Sequence, residues 1–190
     1  MSWWDNRCTI EQFRGWVRGI DDPSRKYVRD YIISKQPESV LDVAAGLCED
    51  YDGLKRDAPN ILYTAIDFTD QFVQYGKDRG INIIKADCDN LPFRGGTIDI
   101  VYCRHLIEHL HYYAETINEM IRVSRNEVIV TFFLPAIDKE EDEIRIVDSL
   151  NHNFYSKKKM ESFLLSNKKV KDFRWEDFGK DEQMLFISLK

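Results

Sequence analysis

Short apolar runs that alternate with amphipathic segments constrain the fold of this chain more than any other feature of its sequence. The runs are SVLDVA, ILYTAI, INIIKA, IDIVYC and EVIVTFF. Their β-branched and aromatic content is typical of strands that are buried on both faces of a parallel sheet. The segments between them predict helices over 49–56, 69–79 and 112–124. This alternation predicts an α/β, doubly wound, Rossmann-like sheet with helices on both faces.

Elements at both ends complete the expected sheet. Ahead of the first strand, IEQFRGWVRGI and PSRKYVRDYIISK predict two helices that pack over one edge of the sheet. After the fifth strand we expect a helix over 156–166, capped by Ser156. The runs KKVKDFRWEDF and EQMLFISLK, joined by a turn at Gly179, predict a hairpin. The expected architecture is a mostly parallel, seven-stranded sheet with an antiparallel C-terminal hairpin strand.

The length of 190 residues suits one domain with its own core. We expect a single domain over 1–190, made of an N-terminal helical cap (1–36), a core (37–135) and a substrate-side segment with the last helix and hairpin (136–190). Four cysteines without a C-x-x-C pair predict free thiols. There is no signal pattern and no apolar run of the roughly 18 residues that a membrane span needs. The sequence therefore predicts a cytoplasmic protein without a membrane partner.

The charge balance argues against nucleic acid as a partner. The formal net charge is −6, from 27 Lys and Arg against 33 Asp and Glu. Long-range attraction to nucleic acid is therefore absent, and any such contact would have to be local. Two basic stretches exist, but solvated helix faces are the simpler interpretation of both. The sequence therefore predicts no nucleic-acid partner, and it makes no prediction of oligomeric state.

The turn after the first strand combines one glycine with several acids. A glycine turn that leads into a helix commonly binds phosphate. A dinucleotide would need G-x-G-x-x-G, but the equivalent positions here are Ala44, Gly46 and Glu49. Glu49 and Asp50 beside a pyrophosphate would cost on the order of several kcal/mol in repulsion. The acids also stabilise a helix start by roughly 0.3–1 kcal/mol each, without any ligand.

Further acids follow the next two strands. Strand two ends at Asp67, 21 residues beyond Gly46, where a carboxylate can accept hydrogen bonds from ribose hydroxyls. Strand three leads to Asp87, and ligands of such sheets bind beyond the carboxyl ends of the strands. An acidic crevice for a nucleoside without phosphates fits S-adenosylmethionine, because its sulfonium and ammonium groups are both cationic.

Five motifs in this order and spacing resemble the class I S-adenosylmethionine-dependent methyltransferases of the type 11 group. They are VLDVAAG, AIDFTDQFV, ADCDNLPF, IDIVYCRHLIEHL and INEMIRVSRNEVIVT, and the resemblance covers about 39–135. It implies an enzyme that moves a methyl group from S-adenosylmethionine to an unidentified, small-molecule acceptor and releases S-adenosylhomocysteine.

The resemblance implies cofactor contacts at the first two turns. Ala44, Gly46 and the neighbouring backbone would lie against the methionine part, and Asp42 would anchor the turn. Asp67 would bind the ribose hydroxyls, and Phe68 would pack near the adenine.

Further cofactor contacts are implied after the third and fourth strands. Asp87 would accept from the adenine amino group, and the Cys88 amide would meet a ring nitrogen. Cys103 and Arg104 would form the floor beside the methyl group. The chain departs from the family where Ala44 and Cys48 replace two turn glycines. This departure keeps open a non-catalytic partner or scaffold of the same fold.

Three of the four histidines lie in CRHLIEHLHYY. His105 and His109 are spaced i,i+4, on one face of a helix if the segment is helical, and with Glu108 they form H-x-x-E-H, a pattern of zinc peptidases. Small-RNA 2′-O-methyltransferases use a similar E-x-x-E-H to bind a divalent metal, so a metal-assisted RNA methyltransferase stays open. We predict no metal site, because His105 replaces the first glutamate. A structural or substrate-facing role stays open for these residues. His105 and His109 are the catalytic candidates, and His105 is the better-placed general base.

The acceptor is expected to contact residues outside the shared core. The candidates are the segment 136–155, of which NHNFYS is expected to line the pocket, and the aromatic and basic residues of the amino-terminal helices: Trp3, Trp4, Arg14, Trp16 and Arg18.

Overall fold

The computed structural model describes residues 8–190, and its elements follow the predicted order. The α-helices among these residues are α1 (Ile10–Trp16), α2 (Pro23–Ser34), α3 (Glu49–Asp57), α4 (Asp70–Asp78), α5 (Ala114–Val123) and α6 (Lys157–Ser166). The strands are β1 (Ser39–Val43), β2 (Leu62–Asp67), β3 (Ile83–Lys85), β4 (Ile98–Arg104), β5 (Ser124–Phe132), β6 (Ile146–Val147), β7 (Leu150–Asn151), β8 (Val170–Phe178) and β9 (Glu182–Leu189). A one-turn 3₁₀ helix, Ile107–His109, follows β4.

Seven strands form one sheet in the order β3-β2-β1-β4-β5-β9-β8. The strands β1 to β5 pair in parallel, whereas β9 is antiparallel to both β5 and β8. The predicted mixed sheet with an antiparallel C-terminal hairpin is thus confirmed. Strand order reverses at the neighbouring strands β1 and β4, so a crevice is expected outside their carboxyl ends.

Apolar side chains cover both faces of the sheet. On one face, Val28 and Ile32 of α2 and Leu54 of α3 pack with buried residues of β1, β4, β5 and β9. On the other, Ile117 of α5 and Met160 of α6 belong to the largest cluster of buried residues. These contacts correct the prediction that both amino-terminal helices cover an edge, because the apolar side of α2 lies on the central strands.

Local sequence signals explain where several helices begin. Asp22 accepts a hydrogen bond from the Ser24 amide, and Pro23 occupies the first turn of α2, where its missing N–H costs nothing. Ser156 accepts from the Lys159 amide at 3.2 Å and caps α6, as predicted. The hairpin β6–β7 was not predicted, and its turn contains the left-handed residue Asp148 (φ 51°).

Two further sequence expectations can be compared with the structure. The four cysteines are free thiols, as predicted. Among the helices of residues 8–190, none combines the length and apolar character that crossing a bilayer requires.

Candidate functional site

A cavity of about 520 Å³ opens at the carboxyl ends of β1, β2 and β4. Five of the predicted residues line it from the first two strands: Asp42, Ala44, Gly46, Asp67 and Phe68. We call these five residues the first-turn side of the cavity. The volume is within the range of roughly 300–1,000 Å³ that is typical of small-molecule sites.

The backbone after β1 takes the left-handed conformation at three positions. The φ angles are 60° at Ala44, 54° at Gly46 and 60° at Cys48. A residue with a Cβ pays roughly 1–2 kcal/mol in this region, which is why glycine is favoured there. At Gly46, an added Cβ would lie 2.9 Å from Cε1 of Phe13 in α1, so this position also requires the missing side chain. The turn thus keeps the glycine-type backbone where Ala44 and Cys48 replace glycine.

Asp67 ties the turns after β1 and β2 together. Its Oδ2 accepts the Gly46 amide at 2.9 Å, and its Oδ1 accepts the Thr69 amide at 2.8 Å. The residue is 5% exposed, and burial raises the pKa of its carboxyl even though these amides work to lower it. The carboxylate is therefore fixed in direction at the wall of the cavity.

Asp42 lies deeper on the same side. Tyr63 donates its hydroxyl to Oδ2 of Asp42 at 2.5 Å. Burial raises the pKa of Asp42 to about 8, and the carboxylate of Asp50 adds to the increase. Asp42 therefore anchors the end of β1 through Tyr63.

A second group of lining residues consists of charged side chains. We call Arg25, Asp50, Arg104, His105 and Glu182 the charged wall, and all five line the cavity. Asp50 pairs with Arg25 and lies 3.7 Å from Nε of Arg104. Burial alone would raise the pKa of Asp50, but the guanidinium groups of Arg25 and then Arg104 lower it below its usual range. Both arginine side chains are at most 10% exposed, so this is a buried ion cluster.

His105 follows β4 directly and has a positive φ of 53°. Its amide donates to the Thr131 carbonyl at 2.9 Å. Its Nε2 lies 3.3 Å from Oε1 of Glu182, within ion-pair distance but outside hydrogen-bond geometry. Burial lowers the pKa of His105, which favours the neutral imidazole at neutral pH.

His109 also lines the cavity, but its contacts differ from those of His105. Its Nδ1 is 2.8 Å from the Asn151 carbonyl, and because a carbonyl only accepts, Nδ1 carries the proton. Burial lowers the pKa of His109 to about 4. The ring packs 5.2 Å from that of Phe133, another residue of the cavity wall. His109 is therefore neutral over the physiological range.

The shared helix face predicted for these two histidines is wrong. The left-handed His105 ends β4, and only a single 3₁₀ turn precedes α5. Glu108 turns toward the backbone after β5, where its Oε1 accepts the Phe133 amide at 2.5 Å. The three side chains of H-x-x-E-H therefore do not converge. The group of potential ligand atoms that does converge within residues 8–190 is Asp87, Cys88 and Asp89.

The other predicted cofactor residues divide between the cavity and its surroundings. Arg104 and Cys88 line the cavity. Cys103 is fully buried in the core, whereas Asp87 is exposed. Neither residue belongs to the cavity lining in the described chain. The Asp87 side chain instead accepts the Asp89 amide at 3.0 Å.

The predicted acceptor residues are only partly near the cavity. Trp16 and Arg18 line it, whereas Arg14 lies outside the lining and donates to Tyr75. Trp3 and Trp4 lie outside the described residues. No residue of 136–155 lines this cavity, which corrects the expectation for NHNFYS. Asn153 is instead fully buried and donates to the Leu110 carbonyl at 2.7 Å.

The cavity carries an excess of acidic side chains. Its lining within the described chain includes seven carboxyl groups and three guanidinium groups. Such an imbalance favours a cationic ligand. Sequence reasoning missed Glu182, because 77 residues separate it from His105 and β9 carries no motif. The pairing of Phe132 with Gln183 is what brings it to this edge of the sheet.

Comparisons with known proteins agree with this geometry. Residues 41–132 match the family model described as a methyltransferase domain of type 11. The chain is 30% identical over 107 residues to a demethylmenaquinone methyltransferase of Corynebacterium glutamicum, and this alignment covers 56% of the chain and 46% of the relative. The chain thus spans about half the length of the curated relatives it matches.

Solved structures share the fold across nearly the whole chain. One is a SAM-dependent methyltransferase from Aquifex aeolicus, with a TM-score of 0.65, 17% identity, and coverage of 97% of this chain and 100% of that one. Another is the magnesium protoporphyrin IX methyltransferase of Synechocystis with bound SAH, with a TM-score of 0.70, 10% identity, and coverage of 98% and 96%. At these identities the likeness shows the fold.

The fold and the family match define the class of this protein. Residues 41–132 match a methyltransferase domain of the type 11 group, in a class I fold whose cofactor is S-adenosylmethionine. The residues present fit this cofactor, because the cavity combines excess carboxyl groups with the buried, fixed carboxylate of Asp67 and a glycine-type turn at Gly46.

Proposed function

We propose that this chain transfers a methyl group from S-adenosylmethionine to a small-molecule acceptor that binds against the charged wall. The observation that carries the proposal is the geometry of Asp67. Each of its oxygens accepts one backbone amide from the turns around the cavity, and a carboxylate oxygen has two lone pairs. The carboxylate therefore keeps acceptor capacity for ribose hydroxyls while its direction is fixed.

The other contacts of the cofactor follow from the first-turn side. Phe68 is next to Asp67 and 50% exposed, so we assign its ring to the adenine. The backbone at Ala44 and Gly46 would hold the methionine part. Acidic side chains of the lining, including Glu49, would attract the ammonium and sulfonium groups.

Bound S-adenosylmethionine supplies a methyl group on a good leaving group, so that alignment of the acceptor provides most of the acceleration. The chain's own contribution is a wall that orients the acceptor and excludes water. Phe133 offers an aromatic surface between His105 and His109, with ring centroids 5.4 Å and 5.2 Å away. The similarity to demethylmenaquinone methyltransferases supports a small acceptor with apolar surface.

Calorimetric titration with S-adenosylhomocysteine tests the proposal. We expect the wild-type protein to bind in the micromolar range and to melt at a higher temperature with the ligand. Asp67→Asn removes the negative charge but keeps an acceptor for one amide, and should weaken binding at least tenfold, about 1.4 kcal/mol.

Asp78→Asn is the matched control, because Asp78 is exposed at the end of α4 and does not belong to the cavity lining. Its affinity should equal that of the wild type. A wild-type protein with no heat of binding and an unchanged melting temperature would exclude the enzyme and favour the non-catalytic partner.

A further inference from the structure

Glu182 is a buried carboxylate to which cofactor binding assigns no role. It is the first residue of β9, is 4% exposed, and lies between the main cavity and a second cavity of about 340 Å³. Its Oε1 is 3.3 Å from Nε2 of His105, 3.4 Å from Nη1 of Arg18 and 4.0 Å from Nη1 of Arg104. Its Oε2 is buried without a hydrogen-bond partner in the described chain. An incompletely paired buried carboxylate requires an explanation.

The cationic neighbours keep Glu182 ionised. Burial works to raise the pKa of its carboxyl, but the neighbouring side chains of His105 and Ser24, together with the charge of Arg104, lower it to about 2. Glu182 is therefore a fixed negative charge beside His105 throughout the physiological range.

His105 is held so that its two ring nitrogens face different surroundings. Nε2 is buried next to Glu182 and makes no hydrogen bond within residues 8–190, so the exposed part of the side chain does not include this nitrogen. The His105 side chain is 30% exposed, whereas that of Glu182 is 4% exposed. Its φ of 53° is costly for a residue with a side chain, and such strain persists where the surroundings impose it, often at functional sites.

We infer that Glu182 is a positioning residue that holds Nε2 of His105 inward, so that Nδ1 can accept a proton from a hydroxyl or amine acceptor. The inference rests on the proposed function and deepens it, because it restricts the acceptor to a group that must lose a proton during methylation. A neutral imidazole oriented by a carboxylate is a suitable general base.

The methyl transfer forms one bond and breaks another. A lone pair of the acceptor oxygen or nitrogen forms the bond to the methyl carbon, and the electron pair of the carbon–sulfur bond stays on sulfur. The acceptor's proton passes to Nδ1 of His105. The positive charge thus moves from the sulfonium to the imidazolium, which the carboxylate of Glu182 stabilises.

Nitrogen-resolved NMR of the histidine rings in the S-adenosylhomocysteine complex tests the inference without turnover. In the wild type we expect the neutral ring of His105 to carry its proton on Nε2. Arg25, Arg104 and His109 face this ring and oppose its protonation, while Glu182 favours it. Glu182→Gln should therefore lower the pKa of His105 by one unit or more, a tenfold loss of proton affinity. Glu182→Asp should restore part of it.

Asp172→Asn is the matched control, because it removes the same charge from an exposed residue of the C-terminal hairpin that does not line the cavity. It should leave the pKa of His105 unchanged. A proton on Nδ1 in the wild type, or an equal decrease in both variants, would overturn the inference. If all variants still bind S-adenosylhomocysteine with wild-type affinity, the inference about Glu182 is wrong but the proposed function is not contradicted.

Methyl transfer to two matched probes gives a second readout. With labelled cofactor, Glu182→Gln should reduce transfer to 2-naphthol more than tenfold but transfer to 2-naphthalenethiol less than twofold, because the thiol ionises without a base. An equal loss with both probes would contradict the positioning role. The NMR result decides if neither probe is turned over.

Discussion

The two sides of the cavity are stabilised in different ways. The first-turn side consists of residues that follow β1 and β2, and it is fixed by hydrogen bonds between nearby turns, such as the Gly46 amide to Asp67. The charged wall collects Arg25 from α2, Asp50 from α3, Arg104 from β4 and Glu182 from β9. One side therefore depends on backbone conformation, and the other on ion pairs between distant segments.

This difference suggests that the two sides of the cavity suit different ligands. A turn fixed by its own backbone suits a ligand that is shared across a family, which in the proposed function is the cofactor. A wall assembled from several elements can change with each of them, which suits the part that binds the acceptor. Substitutions on the two sides should accordingly differ in the size and origin of their effects.

The largest effect is expected at the ion cluster. Arg25→Ala leaves Asp50 buried beside Arg104 alone, and breaking a buried pair costs about 3–5 kcal/mol. Urea unfolding should show this loss. Lys26→Ala removes a neighbouring but exposed pair with Asp30 and should hardly change the midpoint. A loss in Arg25→Ala as small as in the control would show that the wall does not depend on its ion pairs.

An intermediate, pH-dependent effect on the free energy of unfolding is expected at the buried residue Glu108. Burial raises the pKa of Glu108 to about 8, compared with 4.5 for the unfolded chain. The native state therefore holds an extra proton between these values, and stability falls as the pH rises from about 4.5 toward 8. Glu108→Gln should remove this slope and increase the free energy of unfolding by on the order of 2 kcal/mol at pH 7.

Urea titrations at several pH values between 5 and 8 measure this slope. Glu115→Gln on the exposed face of α5 is the control, and its curve should follow that of the wild type. An unchanged slope in Glu108→Gln would show that the carboxyl of Glu108 is already ionised in the native state.

The smallest effect is expected on the first-turn side. Ala44→Gly relieves roughly 1–2 kcal/mol of left-handed strain but adds about 0.5–1 kcal/mol of unfolded-state entropy. Thermal unfolding should therefore show a net gain of about 0.5–1 kcal/mol. The neighbouring Ala45 is not left-handed, so Ala45→Gly should destabilise instead. A loss in both variants would mean that the strain at Ala44 is negligible.

The same division explains what the sequence could predict. The strands and most helices follow from apolar periodicity and caps, and the observed helix bounds differ from the predicted ones by one or two residues at α3, α4 and α5. Five first-turn residues line the cavity as expected, because a turn carries its own signal in consecutive residues. The packing of α2 on a sheet face could not be predicted, since it depends on which apolar surface the other elements leave uncovered.

The charged wall carried no comparable signal. Glu182 reads in the sequence as a polar residue at the start of a strand, and only the antiparallel pairing of β9 with β5 brings it to His105. The spacing of the histidines suggested a helix, but His105 is left-handed and ends the strand. Contacts between residues far apart in the chain leave no local sequence pattern from which they could be predicted.

The position of Glu182 in β9 also has a consequence for biosynthesis. A ribosome translates the segments of the first-turn side, and strands β1, β2 and β4, well before it reaches residue 182. His105 is therefore synthesised before Glu182, which follows in the C-terminal hairpin. Under the proposed function, a growing polypeptide would therefore contain the residues that bind the nucleoside before it contains the carboxylate that orients the general base.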